Sequence, residues 1–437
     1  MRAFIEFELH ETELFQYQLN SWGMQFENYV LLNSNNQKTS LHLYPEFDLI
    51  AAVDSLSIFD YSHLDCFKDF RNYINNNKDW IFGYLSYDLK NEVENLNSSN
   101  FDGIGFEKMY FFVPKYVFIL KKNILRIEYL PVISAVEEIK SIFEQILSIQ
   151  LTQPKKSIPF DAIKQKFTKE DYKQTVDIIR KHIKKGDIYE LNLCQEFYIE
   201  NIKLEPEAVY QELNKLSPTP FSCYMRNYDK YLICSSPERF LLKKGTKIIS
   251  QPIKGTIRRS EDAKEDEKLK SFLSDNAKER AENIMIVDLV RNDLSRTANQ
   301  GSVKVEELCK IYSYGQVHQM ISTISSELDE SKFDIIDILK TTFPMGSMTG
   351  APKIRAMELI EKYEKTKRGL YSGCVGYISP SRDFDFNVII RSILYNSTNG
   401  YVSFSVGSAI TYQSNAESEY QECILKAEAL IKSLTNP

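Results

Sequence analysis

The sequence lacks the cysteine and histidine patterns that form disulfide frameworks or bind zinc. Its seven cysteines are scattered, no CxxC pair occurs, and the five histidines are widely separated. An odd number of unclustered cysteines argues against a disulfide framework and against a zinc site. We therefore expect the cysteines to be small buried residues of a protein that works in a reducing, cytoplasmic environment.

Long apolar runs and basic stretches are also missing. No run approaches the ~20 apolar residues that a membrane-spanning helix needs, and the N-terminus, MRAFIEFELHETELF, does not have the pattern of a secretory signal. The formal net charge is −6, with acidic and basic residues interspersed. These features favour an enzyme that acts on a small molecule over a protein that binds nucleic acid or a membrane.

What the sequence does contain is enough apolar material for a large core, since 43% of its 437 residues are hydrophobic. A stretch rich in proline and lysine at 150–166 predicts a linker between an N-terminal region, 1–150, and a second region, 151–437. Short β-type runs dominate the first region, whereas strands and helices mix in the second.

Three segments have helical patterns, at 168–184, 274–290 and 415–433, and Thr168 is the predicted N-cap of the first. The order of elements contains no regular βαβ series. We therefore predict an α+β fold in which large, mainly antiparallel sheets form a β-sandwich-like core. Helices flank this core, and two subdomains are interwoven.

Two of these helical segments carry paired glutamates. Glu279 and Glu282 lie three residues apart and share a helix face, and Glu419 and Glu422 repeat this spacing near the C-terminus. Each pair alone is typical of a solvated acidic face. If the two faces meet, their oxygens suit Mg²⁺, which binds one or two carboxylates and keeps several waters.

Two further positions combine a reactive side chain with a restricted backbone. Lys254 stands between Pro252 and Gly255 in QPIKGT, and its amine is a nucleophile if its surroundings leave it uncharged for part of the time. Glu238 follows a proline in SSPERF and is a candidate general acid if it is partly desolvated. Taken alone, a surface lysine and an ion-paired glutamate are the simpler interpretations.

Several longer motifs occur in a fixed order: SSPERF, PIKGTIRR, ERAENIMIVDLVRNDLSR, GSMTGAPKIRAMELI and ESEYQECILKAE. Together they resemble the chorismate-using enzymes, which include anthranilate synthase component I, aminodeoxychorismate synthase component I, isochorismate synthase and salicylate synthase. The resemblance extends from about residue 168 to the C-terminus. It is looser in 1–150, where FGYLSYDLKNE and VLLNS are typical of the aminating members. The resemblance implies an N-terminal region of the anthranilate synthase component I type followed by a chorismate-binding catalytic region.

Two positions bear on the reaction. Anthranilate synthases usually have alanine where this chain has Lys254, and PIKGT is characteristic of the aminodeoxychorismate synthases. Water-using members have a lysine base near Gln195, and a glutamine does not activate water. The resemblance therefore implies amination of chorismate at C4 with ammonia, for the synthesis of para-aminobenzoate and folate. The alternatives are anthranilate synthase component I chemistry and a catalytically silent regulator that binds chorismate or tryptophan.

The resemblance also implies roles for single residues. Lys254 is expected to attack C2 of chorismate, and Glu238 to protonate the departing C4 hydroxyl. The second glutamate of each acidic pair is expected to bind Mg²⁺ directly, and the first through water. Residues expected to hold the substrate are Arg391, Tyr371, Ser347, Thr349, Gly255, His318, Gly407, Ser408 and Gln195.

Two further expectations concern other ligands. Because the sequence shows no glutaminase, ammonia is expected from solution or from a separate glutamine amidotransferase subunit. A tryptophan pocket resembling that of aminating relatives is expected at Ser34, Pro218, Pro220 and Phe221. Ser217 stands where the family often has asparagine, so a structural turn is the alternative for SPTPF.

Overall fold

The computed structural model describes residues 1–36, 47–59, 61, 65–151, 158–315 and 317–435. Within these ranges the chain forms twenty strands and eleven α-helices. The strands are β1 (Ala3–Glu8), β2 (Asn28–Asn33), β3 (Leu49–Phe59), β4 (Ile81–Leu85), β5 (Met109–Lys121), β6 (Ile124–Tyr129), β7 (Lys164–Gln165), β8 (Glu190–Ile199), β9 (Phe221–Asn227), β10 (Lys230–Ser236), β11 (Arg239–Lys244), β12 (Lys247–Gln251), β13 (Ile253–Arg258), β14 (Lys304–Ser313), β15 (Val317–Glu327), β16 (Gly350–Ala351), β17 (Cys374–Ile378), β18 (Phe384–Val388), β19 (Ser392–Asn396) and β20 (Tyr401–Ile410). The helices are α1 (Thr12–Gly23), α2 (Cys66–Asn76), α3 (Lys90–Val93), α4 (Val136–Leu147), α5 (Lys169–Lys185), α6 (Pro206–Leu216), α7 (Ala263–Asp275), α8 (Ala277–Ser295), α9 (Ile335–Thr342), α10 (Lys353–Tyr363) and α11 (Ala416–Thr435).

The pairings between these strands are antiparallel and build two connected layers. The first layer runs in the order β1-β6-β5-β3-β2-β9-β10-β19-β20-β8. The second runs β5-β4-β17-β18-β11-β12-β15-β14, with β13 continuing the β12 edge of β15. Strand β5 joins the layers because its first half pairs with β4 and its second half with β6.

Alternating residues of the first layer face two different hydrophobic cores, as the pleat of a strand requires. Val30 of β2 lies in a core shared with strands of the second layer. Its neighbours Tyr29 and Leu31 lie in another core, which contains apolar residues of α1, α4, α5, α6 and α11. The first layer is therefore covered by the second layer on one face and by helices on the other, which confirms the predicted α+β fold.

The predicted helices are present, and their ends follow from local capping. The Thr168 hydroxyl accepts a hydrogen bond from the Asp171 N–H at 3.1 Å and starts α5. The helix predicted at 274–290 begins later, because α7 ends at Asp275 and Asn276 caps α8 by accepting from the Glu279 N–H. The C-terminal helix, α11, carries the second acidic pair as expected.

Strands from both sides of the predicted linker share the same sheets, since β2 pairs with β9 and β4 pairs with β17. The proposed division into 1–150 and 151–437 stays a prediction. Within the described ranges, no helix combines the length and the hydrophobicity that crossing a membrane requires.

Candidate active site

Lys254 is a buried amine in strand β13. Its side chain is 11% exposed, and its Nζ lies 3.1 Å from Oε1 of Glu190, the first residue of β8. Burial lowers the pKa of Lys254, but the carboxylates of Glu190, Glu282 and Glu238 outweigh it and hold the pKa above its ordinary value. The resting protein therefore has an ammonium at this position.

Glu238 lies between β10 and β11 and is 3% exposed. Burial raises the pKa of Glu238 to about 7, and the facing hydroxyl of Ser347 and the charges of Lys254 and Arg391 offset only part of that rise. Near neutral pH this carboxyl is protonated for a large fraction of the time. It therefore has the protonation behaviour that a general acid requires.

The two acidic pairs lie close to each other, because one lysine of α8 reaches a glutamate of each helix. Lys278 Nζ lies 3.1 Å from Glu419 and 3.7 Å from Glu282, so it bridges one carboxylate of each helix. On the same faces, Glu422 contributes to a raised pKa of Glu279, after the larger effect of burial. Glu282 and Glu419 are deeply buried, and burial raises the pKa of Glu282 to about 8.

Glu422, the second glutamate of the pair on α11, is partly exposed and forms an ion pair within its own helix. Glu422 is 43% exposed, and its Oε1 lies 2.6 Å from Lys426 Nζ. Burial opposes ionisation of Glu422, but Lys426 holds its pKa below the ordinary value. Lys426 also donates to the main-chain carbonyl of Gly407 at 2.9 Å and so ties the acidic face to β20.

The carboxylates of the two faces supply the oxygen donors that Mg²⁺ prefers. Oε1 of Glu282 and Oε2 of Glu419 are buried without a hydrogen-bond partner in the described part of the chain. Hard oxygen donors of this kind suit the cation. Across the described ranges, however, no three His, Cys, Asp or Glu side chains are grouped closely enough to hold a metal ion. The donor chemistry fits, and the charge now balanced by Lys278 is the charge that a cation would balance.

Arg391 and Ser347 face Glu238 from two other segments. Arg391 precedes β19 with a left-handed φ of 49°, and its main-chain carbonyl accepts from the Ser235 N–H at 3.0 Å. Burial lowers the pKa of its guanidinium, with Tyr314 and Glu238 opposing this effect. The Ser347 hydroxyl is buried and faces the Glu238 carboxyl. A guanidinium and a hydroxyl in this position suit a carboxylate ligand.

Thr349 and Tyr371 are packed into the wall behind the site. The Thr349 hydroxyl donates to the carbonyls of Met345 and Gly346 at 3.2 and 3.3 Å, so it stabilises the turn that presents Ser347. Tyr371 is 4% exposed, and its hydroxyl accepts from the Cys194 thiol at 3.9 Å. Direct contact of Thr349 and Tyr371 with a substrate stays a prediction.

A buried ion pair stabilises the same wall. Arg368 and Glu364 are 2.6 Å apart, with side chains 2% and 4% exposed. Arg368 also donates to the carbonyls of Met348 and Asn192, and Glu364 accepts from the Cys194 N–H. The pair therefore fixes β8 against the 345–350 turn.

Gly407, Ser408 and Gln195 lie on the paired strands β20 and β8. A Cβ on Gly407 would lie 2.6 Å from the Cys194 sulfur, so glycine is required for strand packing there. The Ser408 hydroxyl lies 3.0 Å from the Tyr172 hydroxyl, in the core beneath the helices. Gln195 is two residues from Leu193 on β8, so it shares that residue's outer face and points away from Glu190. The structure therefore does not bring Ser408 and Gln195 next to Lys254.

His318 and Gly255 are held by α7 and α8. The ring of His318 is 1% exposed, with Nε2 3.0 Å from Asp266 of α7 and Nδ1 2.8 Å from the Ser313 hydroxyl. Gly255 has a left-handed φ of 90°, and a Cβ there would lie 3.2 Å from Oε2 of Glu279. Glycine thus allows β13 to approach the acidic face of α8.

Three of the four residues expected to bind tryptophan line one cleft. Ser34, Pro220 and Phe221 line it together, whereas Pro218 is not among its lining residues. The guanidinium of Arg239 also lines the cleft and lies 4.9 Å from the Phe221 ring centroid. Tryptophan binding stays a prediction.

Sequence reasoning missed three charged residues at the site: Glu190, Lys278 and Lys426. The partner of Glu190 lies on another strand, and Glu419, one partner of Lys278, lies on another helix. Lys426 pairs with Glu422 four residues earlier on the same helix, a spacing that could have identified it from the sequence. Among the described residues, buried polar atoms without a hydrogen-bond partner occur at the site on Glu190, Glu282 and Glu419, and also in other parts of the fold. At the site these atoms are carboxylate oxygens, which are available to a polar or cationic ligand.

Comparisons with known proteins agree with this chemistry. The family model described as "chorismate binding enzyme" matches residues 27–432. Aminodeoxychorismate synthase component 1 of Bacillus subtilis is 32% identical over 361 residues, which are 80% of this chain and 76% of that protein. Anthranilate synthase component 1 of Aquifex aeolicus is 33% identical over 368 residues, 81% of this chain and 74% of that protein.

A solved structure is similar in fold as well. Anthranilate synthase component I from Streptococcus pneumoniae aligns with a TM-score of 0.70 and 28% identity over 80% of each chain. The matched length, the antiparallel fold and the acidic, lysine-containing site agree with one another. The chain is an enzyme that belongs to the chorismate binding enzyme family.

Proposed function

We propose that this enzyme is an aminodeoxychorismate synthase component I, which replaces the C4 hydroxyl of chorismate with an amine to give 4-amino-4-deoxychorismate. The observation that carries the proposal is the buried amine of Lys254, which faces Glu238, a carboxyl with a pKa raised to about 7. A nucleophile and an acid in one site are the two groups that a double displacement at C2 and C4 needs.

Glu238 supplies the proton in the first displacement. Burial keeps this carboxyl protonated near neutral pH, and Ser347 and Arg391 face it. Proton donation to the C4 hydroxyl lets that group leave as water, while Lys254 forms a bond to C2. The two ring double bonds each shift by one position in this step. Ammonia then attacks C4, the double bonds shift back, and the Lys254 amine leaves C2.

The charges around Lys254 orient the substrate. Arg391 is placed to bind the enolpyruvyl carboxylate, because a guanidinium offers two parallel donors. The acidic faces of α8 and α11 would hold Mg²⁺, with Glu282 and Glu422 as direct ligands and Glu279 and Glu419 acting through water. The unpartnered oxygens of Glu282 and Glu419 support a cation between these faces. Bound Mg²⁺ would neutralise the ring carboxylate and polarise the ring.

The ammonia source is proposed to be a glutamine amidotransferase subunit, as the "component 1" names of relatives support. The product would then serve para-aminobenzoate and folate synthesis in the cytoplasm.

Anthranilate synthase component I is the second candidate, because relatives with that name match this chain at similar identity. The two reactions differ in their products: anthranilate is fluorescent and its formation releases pyruvate, whereas aminodeoxychorismate retains the enolpyruvyl group. Lys254 favours the first candidate, since a covalent adduct at C2 requires an amine at that position.

The test of the proposal is intact-protein mass spectrometry with chorismate and magnesium present and ammonia withheld. We expect the protein to gain the mass of chorismate less one water. Lys254→Ala should bind chorismate without forming the adduct, and Lys254→Arg should also form none, because arginine stays protonated. Lys332→Ala, at a lysine whose side chain is 69% exposed, is the control and should form the adduct. The same adduct on Lys254→Ala would identify another nucleophile, and its absence on the native chain would favour direct attack by ammonia.

A further inference from the structure

The ion pair between Lys254 and Glu190 bears on how the Lys254 amine loses its proton before it attacks C2. The carboxylates around Lys254 hold its amine in the charged form, and an ammonium has no electron pair with which to attack C2. A proton acceptor must therefore lie within reach of Nζ before the first displacement. Glu190, at 3.1 Å, is in direct contact with it.

Glu190 has no competing partner. Its side chain is 1% exposed, and apart from the Lys254 ion pair neither of its oxygens has a hydrogen-bond partner among the described residues. A buried carboxylate normally has several hydrogen bonds, because burial without them is costly. The Glu190 carboxylate therefore interacts with Lys254 and has an oxygen that can accept a proton.

The backbone around Glu190 is rigidly held. Ala351 of β16 pairs with Glu190, and the flanking Tyr189 N–H donates to the Ala351 carbonyl at 2.7 Å. Gly350 packs so closely that a Cβ there would lie 2.2 Å from the Glu190 carbonyl oxygen. These backbone contacts fix the strand position from which the Glu190 side chain reaches Lys254.

The other carboxyls whose charges act on Lys254 have different tasks in the proposed function. Glu238 must arrive protonated in order to donate, and Glu279, Glu282 and Glu422 belong to the metal-binding faces. Glu190 is the carboxylate in ion-pair contact with the amine.

Resting on the proposed function, we propose that Glu190 is the base for Lys254: it positions the amine and takes its proton before the attack on C2. The proton moves from Nζ to Glu190, and the freed electron pair forms the C2–N bond as the C4 hydroxyl leaves with the proton of Glu238. When ammonia attacks C4, the Lys254 amine leaves C2 and regains its proton from Glu190. Glu238 takes the proton released by the new ammonium at C4, so both carboxyls return to their starting states.

The experiment measures the rate of the chorismate adduct by rapid quench and intact mass, together with the dissociation constant of chorismate. Glu190→Gln keeps the shape of the side chain and removes the base. We expect it to slow adduct formation by about 10²–10⁴-fold, the usual contribution of a general base, with chorismate binding changed by less than about threefold. In steady state kcat should fall while KM for chorismate stays close to that of the native enzyme.

Two further variants separate a proton-accepting role from a structural one. Glu190→Ala leaves room for a small acid, so added formate should restore adduct formation in a concentration-dependent way, whereas Glu190→Gln should not respond. Glu196→Gln removes another buried carboxylate from the same strand, where Ser403 donates to it, and should form the adduct at the native rate.

The possible outcomes separate the role of Glu190 as a base from the proposed function on which that role rests. If the native enzyme forms no adduct, the covalent step of the proposed function fails. If the native enzyme forms the adduct and Glu190→Gln does so equally fast, Glu190 is not the base. Loss of chorismate binding in Glu190→Gln, or a slow Glu190→Ala that formate does not restore, would also overturn the assignment.

Discussion

Replacing Glu238 with glutamine should change both the stability and the activity of the enzyme in a pH-dependent way. Burial raises the pKa of Glu238 from its ordinary value of 4.5 to about 7. The folded protein therefore keeps this proton up to about pH 7, whereas the unfolded chain releases it near 4.5. Each pKa unit corresponds to about 1.4 kcal/mol, so the ionised carboxylate costs the folded state about 3 kcal/mol.

The direction of this pH dependence follows from the difference in proton binding between the folded and unfolded states. Because the folded state binds the proton more tightly, the contribution of Glu238 to stability falls as pH rises from about 4.5 through about 7, and it stays low above that. Glutamine does not titrate. The free energy of unfolding of Glu238→Gln, relative to the native enzyme, should therefore rise by about 2–3 kcal/mol between about pH 5 and about pH 8.

Urea denaturation of both proteins at several pH values measures this difference, and other titrating groups cancel between them. Glu428→Gln, at a side chain that is 53% exposed, is the control and should change the free energy of unfolding by less than about 0.5 kcal/mol. In the same preparation, Glu238→Gln should lose about 10²–10⁴-fold in turnover, since it cannot protonate the leaving hydroxyl. A flat stability difference, or native turnover, would refute the assignment of Glu238 as a buried acid.

Three other predictions concern the metal, the ammonia source and the core. Chelation should abolish turnover, and added Mg²⁺ should restore it. Glu282→Gln should raise the Mg²⁺ concentration needed for half-maximal turnover at least about tenfold. Full activity in the presence of chelator would contradict the magnesium assignment. Ammonium salts should support turnover by the chain alone, whereas glutamine should require an added amidotransferase; turnover with glutamine by the purified chain would reveal a glutaminase within it. Arg368→Ala should lower the free energy of unfolding by about 3–5 kcal/mol, because it leaves Glu364 charged and buried, and a loss below about 1 kcal/mol in urea denaturation would show that the pair is not needed.

Much of the fold could be predicted from local sequence signals. Thr168 marked the start of α5 because a hydroxyl N-cap is a local interaction, and the paired glutamates followed from helical spacing alone. The break between α7 and α8 was not predicted, since Asn276 both ends one helical run and caps the next. The spacing of apolar residues alone predicts one continuous helix across this position.

The candidate site was predicted less completely, because its charges are paired across distant elements. Lys254 and Glu190 lie at the starts of strands β13 and β8, and the sequence does not show that these starts are close together. The face of the sheet on which Ser408 and Gln195 lie depends on the in-and-out alternation of their strands. The sequence does not determine which residues of that alternation point inward. Lys278 was overlooked because its partner Glu419 lies on another helix.

The product that the enzyme makes from chorismate is the most direct test of amination at C4. The purified chain should be incubated with chorismate, magnesium and an ammonium salt, and the product identified by mass spectrometry and by its fluorescence. The account predicts 4-amino-4-deoxychorismate that retains the enolpyruvyl group, with no release of pyruvate, and no product from Lys254→Ala. Fluorescent anthranilate together with pyruvate would contradict amination at C4, and unchanged chorismate would contradict catalysis by this site.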